Sequence, residues 1–213
     1  MFTGYSPQTV DFLWGLRMNN NREWFLQHKQ EYVDNLYEPT KALGKHIFQP
    51  FLDKSGTLVK VSRIYRDARM HHPLPYKESL WICIRQDVEW WAENPCLFFE
   101  INPEGVDYGF VFWKPQPARM KAFRQTLAKN PEPFLSMIAH VEADTGVEIA
   151  ANPYKHPEKC PDSRLERFFL WRDKLECTIH EDFTQDTFGP QLGDRVRDFL
   201  EKLIPLYDYF CLN

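Results

Sequence analysis

The chain has 213 residues, 43% hydrophobic and 15% aromatic, with a formal net charge of −4. That composition excludes a disordered chain, and its mild acidity gives no general attraction to nucleic acid or anionic membranes. The length suffices for one sizeable core; no apolar run reaches the ~18 residues a membrane span needs, and no basic-then-apolar leader opens the sequence.

In chain order, Ser6-Pro7 is a helix start, with Ser as N-cap and Pro in the first helical position. Val10, Leu13, Trp14 and Arg17 are expected on one side of that helix. Met18-Asn19-Asn20-Asn21 interrupts it, and an Asn caps a second helix in which Trp24, Phe25, His28 and Tyr32 share a face. Pro39 fits the first turn of a third helix, with Leu43, Ile47, Phe48 and Phe51 as its apolar stripe, ended by Ser55-Gly56.

Strands follow. Leu58 to Tyr65 alternates at period two, so that Val59, Val61 and Arg63 are expected on one face. If the valines face the core, Arg63 is buried and needs a carboxylate or a bound anion. Leu80 to Ile84 is apolar on both faces and reads as a central strand. Cys96 to Ile101 and Val106 to Trp113 form a hairpin around Asn102-Pro103-Glu104-Gly105.

Helical spacing returns after Pro117 with Met120, Phe123 and Leu127. It recurs over Pro131 to Ala143, which carries Phe134, Ile138 and Val141 and stops before Gly146. Val147 to Ala151 is a candidate short strand, and Asp162 caps a helix bearing Leu165, Phe168 and Phe169. Leu175 to Ile179 reads as another strand, and an amphipathic helix from about Pro190 carries Val196, Phe199, Leu200 and Leu203. Helices, then a mostly antiparallel sheet of four to six strands, then helices again predict a single α+β domain over residues 1–213.

The stretch Ser62 to Ile84 concentrates the chemistry. Between Lys60 and Lys77 stand five basic residues and one acid, leaving a net −8 on the rest of the chain. Arg63, Arg66, Arg69 and Lys77 are candidate ligands for an anion, because guanidinium forks match phosphate or carboxylate oxygens. Asp67 and Tyr76 are candidate catalytic groups for a proton. Arg22 and Glu23, at the start of the second helix, are expected to support the loop from behind.

The rival reading is an internal ion network, in which these arginines pair with Asp67, Glu78, Glu23 or Glu100. Nucleic acid is a poorer third, since a four-charge patch on an acidic protein is thin support for it.

Several pieces together resemble the domain-of-unknown-function family numbered 2461. They are N-N-N-R-E-W-F-L-Q-H-K-Q-E-Y at Asn19 to Tyr32, R-I-Y-R-D-A-R at Arg63 to Arg69, P-Y-K at Pro75 to Lys77, F-W-K-P at Phe112 to Pro115, and Pro205-Leu206. The chain departs from the family at Met70 to Leu74, where a Phe-Ser and an Asp-Lys usually stand, and only loosely matches its Pro-Lys-Gly pattern at Asn152 to Cys160. The resemblance implies a single α+β domain and carries no activity, cofactor or catalytic residue.

Metal is not expected. His71 and His72 are adjacent and point apart in an extended segment, while His156 and Cys160 lack a second ligand pair. There is no G-x-x-x-x-G-K, G-x-G-x-x-G, G-x-S-x-G or H-E-x-x-H. The five cysteines (Cys83, Cys96, Cys160, Cys177, Cys211) are scattered and odd in number, which suits free thiols in a reducing cytoplasm. The expected protein is therefore cytoplasmic, cofactor-free and a binder of a small anionic ligand in a basic pocket, or else a non-catalytic protein with an internal Arg network.

Overall fold

The computed structural model describes every residue except Ala68, Met70, His71, His72 and Asn213. The adjacent histidines weighed above as metal ligands thus lie outside the described residues. The elements run α1 (Pro7–Met18), α2 (Arg22–Gln27), α3 (Lys29–Glu31), a π-helical stretch Tyr32–Tyr37, α4 (Glu38–Ile47), β1 (Thr57–Val61), β2 (Leu80–Gln86), β3 (Pro95–Ile101) and β4 (Gly105–Phe112). Then come α5 (Pro117–Lys129), α6 (Glu132–Thr145), β5 (Ala150–Pro153), α7 (Glu166–Leu170), β6 (Trp171–Asp182), α8 (Gln185–Phe188), α9 (Gln191–Lys202) and α10 (Ile204–Leu212). The strands form one antiparallel sheet in the order β1-β2-β3-β4-β6-β5, so the fold is α+β.

Two compact units emerge. The first comprises Met1–Ile84, Phe98–Tyr108 and His180–Asp198; the second comprises Arg85–Leu97, Gly109–Ile179 and Phe199–Asn213. The division falls within β2, β3, β4 and β6, each of which contributes residues to both.

In the first unit, Leu13, Leu16, Leu36, Leu43 and Ile47 of the helical segment are fully buried, as are Leu80, Ile82, Phe99, Ile101 and Val106 of the strands. Each such side chain is worth about 1.5–3 kcal/mol of burial. Helix α4 packs on the sheet at Gly44, where a Cβ would make ordinary contacts of 3.6–3.7 Å with Ile82, Val59 and Val61.

Helix α1 buries Thr9, Phe12, Leu13 and Leu16, whereas Trp14 is exposed, so its buried stripe is rotated from the expected Val10–Trp14 side. Trp14 instead covers the Arg17 guanidinium, 4.9 Å from the ring centroid.

The second helix, read as continuous to Tyr32, breaks at His28, whose ring stacks on Trp24 at 4.0 Å. Pro39 has no N–H to offer the Asn35 carbonyl four residues earlier. The Thr9 hydroxyl takes that carbonyl at 2.6 Å.

In the second unit the core is aromatic. Phe123, Phe134, Phe168, Trp171 and Phe210 are buried, with Phe134 edge-on to Phe123 at 5.1 Å and to Phe168 at 5.0 Å. Helix α6 ends at Gly146, whose φ of 69° is the left-handed stop that glycine takes without penalty. None of the five cysteines forms a disulfide. Among the described residues, no helix is long and apolar enough to cross a membrane.

Candidate functional site

The basic loop belongs to the first unit and is shaped by a register shift. Ser62 N–H bonds the Trp81 carbonyl, then Lys77 N–H bonds Ile64 and Arg66 N–H bonds Pro75. Between the first two pairs, Arg63 stands alone opposite Glu78, Ser79 and Leu80. Ser62 Oγ accepts the Trp81 N–H at 3.1 Å at this bulge.

Strand β1 therefore ends at Val61, short of the predicted Tyr65, and only an isolated bridge joins Tyr65 to Tyr76. Burial changes phase at the same point. Ser62 and Ile64 are buried, while Arg63 and Tyr65 are exposed. Arg63 does not follow Val59 and Val61 inward; the bulge turns it out.

Tyr76 anchors the loop mainly through its backbone. Its carbonyl accepts Arg66 Nε at 2.6 Å and Asn20 Nδ2 at 3.0 Å, and its N–H donates to Asn20 Oδ1 at 3.1 Å. The ring is buried and stacks on Phe25 at 4.2 Å, and burial raises the phenol's pKa. Arg22 is exposed, and its charge partly offsets that rise; Glu23 is exposed in the first turn of α2. Asn21 is the cap of that helix, accepting Trp24 N–H at 3.0 Å.

The expected cations separate into two groups. Arg69 is held by Asp67, whose oxygens accept Nε at 3.0 Å and Nη2 at 2.7 Å, with the Arg69 side chain 87% exposed. Arg66, besides its bond to Tyr76, has Nη2 3.9 Å from Glu78. Glu78 is gripped on its other oxygen by Arg17 Nε at 2.6 Å, and the same guanidinium forks onto Glu104. That contact raises the Arg17 pKa and lowers that of Glu104. Arg17 had been read only as part of a helix face, and its partners lie more than sixty residues away in sequence.

Lys77 and Arg63 form the other group. Lys77 Nζ donates to the Arg63 carbonyl at 2.8 Å and stands 5.6 Å from the centroid of the Trp81 ring. Burial lowers the Lys77 pKa, the Arg63 and Arg66 charges lower it further, and Glu100 pulls the other way. Arg63 has no carboxylate partner among the described residues.

Glu100, expected only as a possible partner of the loop's arginines, acts on Lys77 instead. It alternates with the buried Phe99 and Ile101 on β3, so it lies on the sheet face opposite the helical core. Burial raises its pKa and Asp107 adds to the rise, against a hydrogen bond from Ser79 and the charge of Lys77. Asp107 in turn accepts from Asn102 at 2.8 Å and pairs with His180 Nδ1 at 2.9 Å. A single acid inside the apolar run Leu97-Phe98-Phe99-Glu100-Ile101 was the signal available for it.

Among the described residues, the cluster thus combines two cations without a carboxylate at ion-pair distance, a half-buried acid prone to hold its proton, and the aromatic face of Trp81. Among the described residues, no group of three or more His, Cys, Asp or Glu side chains is placed to hold a metal ion.

Comparison with curated proteins finds no match. Residues 8–209 match the family described as conserved hypothetical protein (DUF2461), which covers nearly the whole chain. The chain therefore belongs to that family.

Proposed function

We propose that the first unit binds a small phosphorylated or carboxylated molecule at the Arg63–Lys77 edge of the basic loop. The observation that carries this reading is Arg63: an exposed guanidinium, without a carboxylate partner among the described residues, beside an ammonium that burial and neighbouring cations already disfavour. An anion placed there would relieve the repulsion and supply the missing partner. Arg66 would add charge from behind, while Arg69 would reach the ligand only by releasing Asp67. For a proton step the candidates are Glu100, Asp67 and Tyr76, with Glu100 favoured because it shares the electrostatics of Lys77. We place the protein in the cytoplasm, where five scattered thiols stay reduced.

A second reading keeps the loop purely structural. It rests on the Arg17–Glu78–Glu104 and Arg69–Asp67 pairs, which occupy two arginines with protein carboxylates. Calorimetric titration with a panel of phosphorylated and carboxylated metabolites separates the two. The ligand reading expects saturable binding to the wild type and at least tenfold weakening in Arg63→Gln, from loss of roughly 1.5–3 kcal/mol of charge-assisted hydrogen bonding. Binding by no member of the panel would support the structural reading instead.

A further inference from the structure

The second unit holds a buried cation that the protein leaves underfed. Arg124, on α5, is only 4% exposed. A guanidinium carries five N–H donors and is costly to bury unless they are met. Among the described residues, Nη1 reaches the Trp171 carbonyl at 3.3 Å, and Nε is buried with no partner. Nη2 stands 3.6 Å from Glu158 Oε1, beyond hydrogen-bond range. The guanidinium carbon lies 5.0 Å from the centroid of the Tyr154 ring. Arg124, Tyr154, His156 and Glu158 line a cavity of about 130 Å³, which is room for about four waters at the ~30 Å³ each takes in the liquid.

We infer that this cavity is a binding site for a small monocarboxylate, whose two oxygens take the Arg124 fork. Glu158 marks the chemistry. Its carboxylate stands just short of contact, and its side chain is 54% exposed, so an incoming carboxylate displaces it to water at little cost. The Tyr154 face backs the guanidinium in a cation–π contact. A phosphate dianion would bring a second negative charge beside Glu158 and is the poorer fit. The volume limits the ligand to a chain of a few carbons. The site draws on no residue of the Lys77 cluster.

The test follows the Arg124 Nε–H resonance by NMR in the 213-residue chain while propionate or inorganic phosphate is added at constant ionic strength. Propionate is expected to shift that resonance saturably, and phosphate to do so more weakly. Glu158→Gln, a surface change that spares the fold, removes the competing carboxylate and is expected to tighten propionate binding by up to about fivefold. Arg124→Lys, which keeps the charge and loses the fork, is expected to abolish it. The inference is overturned by the absence of a saturable shift in both wild type and Glu158→Gln. Tighter binding of phosphate than of propionate, or weaker propionate binding in Glu158→Gln, overturns it as well.

Discussion

Asn20 holds Tyr76 as a neighbouring strand would, its side-chain amide donating to the Tyr76 carbonyl and accepting the Tyr76 N–H. The two residues are 56 apart in sequence, so this clamp ties the end of α1 to the return limb of the basic loop. Its flanking asparagines do different work. Asn19 bonds the Gly15 carbonyl at 3.0 Å, and Asn21 caps α2.

The three positions are therefore expected to separate in stability measurements. Asn20→Ala strands the Tyr76 N–H and leaves the Tyr76 carbonyl to Arg66 alone, and should cost about 1–3 kcal/mol. Asn21→Ala should cost about 1 kcal/mol as a lost cap. Asn19→Ala, at an exposed site, should stay within about 0.5 kcal/mol. Urea denaturation of the three variants checks the order; equal effects at Asn19 and Asn20 would contradict the clamp.

Arg66 and Arg69 should also part company. Arg66→Gln removes a charged donor from the Tyr76 carbonyl, and at a quarter-exposed site this should cost about 1–2 kcal/mol. Arg69→Gln breaks only a solvent-exposed pair and should leave the melting temperature unchanged. Thermal melts of both variants decide this, and a large loss at Arg69 would mean the loop depends on the Asp67 pair.

Glu100 should impose a pH dependence of known sign. Its pKa in the folded chain is raised from 4.5, chiefly by burial. The folded state therefore holds the proton longer than the unfolded state does. The resulting stabilisation is fully present below the unfolded value and is lost as pH rises through the folded one. Glu100→Gln should accordingly match wild type near pH 4 and become the more stable protein toward neutrality. Denaturant midpoints for both proteins across that range check it, and a constant difference would show that the raised pKa is not felt in stability.

Gly109 is expected to resist substitution for reasons of space as well as backbone. Its φ is 150°, and a Cβ would fall 2.1 Å from the Cys177 carbonyl oxygen across the β4–β6 pair. Gly146, with φ 69°, has nothing within 4 Å of a Cβ. Alanine at 146 should cost about 1–2 kcal/mol from the left-handed backbone alone. Alanine at 109 should cost more, because the strand must also move. Melting temperatures of the two variants rank them.

Much of the fold was legible because its signals are local. The Asn102–Gly105 turn announced the β3–β4 hairpin: Asn102 Oδ1 accepts both the Glu104 and Gly105 N–H groups. Ser6-Pro7 and Gly146 bounded their helices as read.

What failed depended on partners distant in sequence. Period-two counting carried Arg63 inward with Val59 and Val61, but the bulge opposite it is set by Ser62, Trp81 and Lys77 in three dimensions. The break at His28 and the π-helical stretch before Pro39 kept a helical-looking apolar pattern, so periodicity alone could not mark them. The basic loop was visible as a run of charges, and Asp67 and Glu78 stood among the partners expected for its arginines, but which arginine each would take was not visible. Arg17 and Glu104 lie outside that run, and nothing in their own neighbourhoods signals the pairing.

The most direct test of the ligand reading is the melting temperature of the wild type and of the double variant Arg63→Gln/Lys77→Gln as inorganic phosphate is raised at constant ionic strength. The expected result is a saturating rise for the wild type, worth about 2.7 kcal/mol at a hundred times the dissociation constant. The double variant is expected to show none. A wild-type curve flat in phosphate, or an equal rise in the double variant, would contradict the assignment of Arg63 and Lys77 as the anion site.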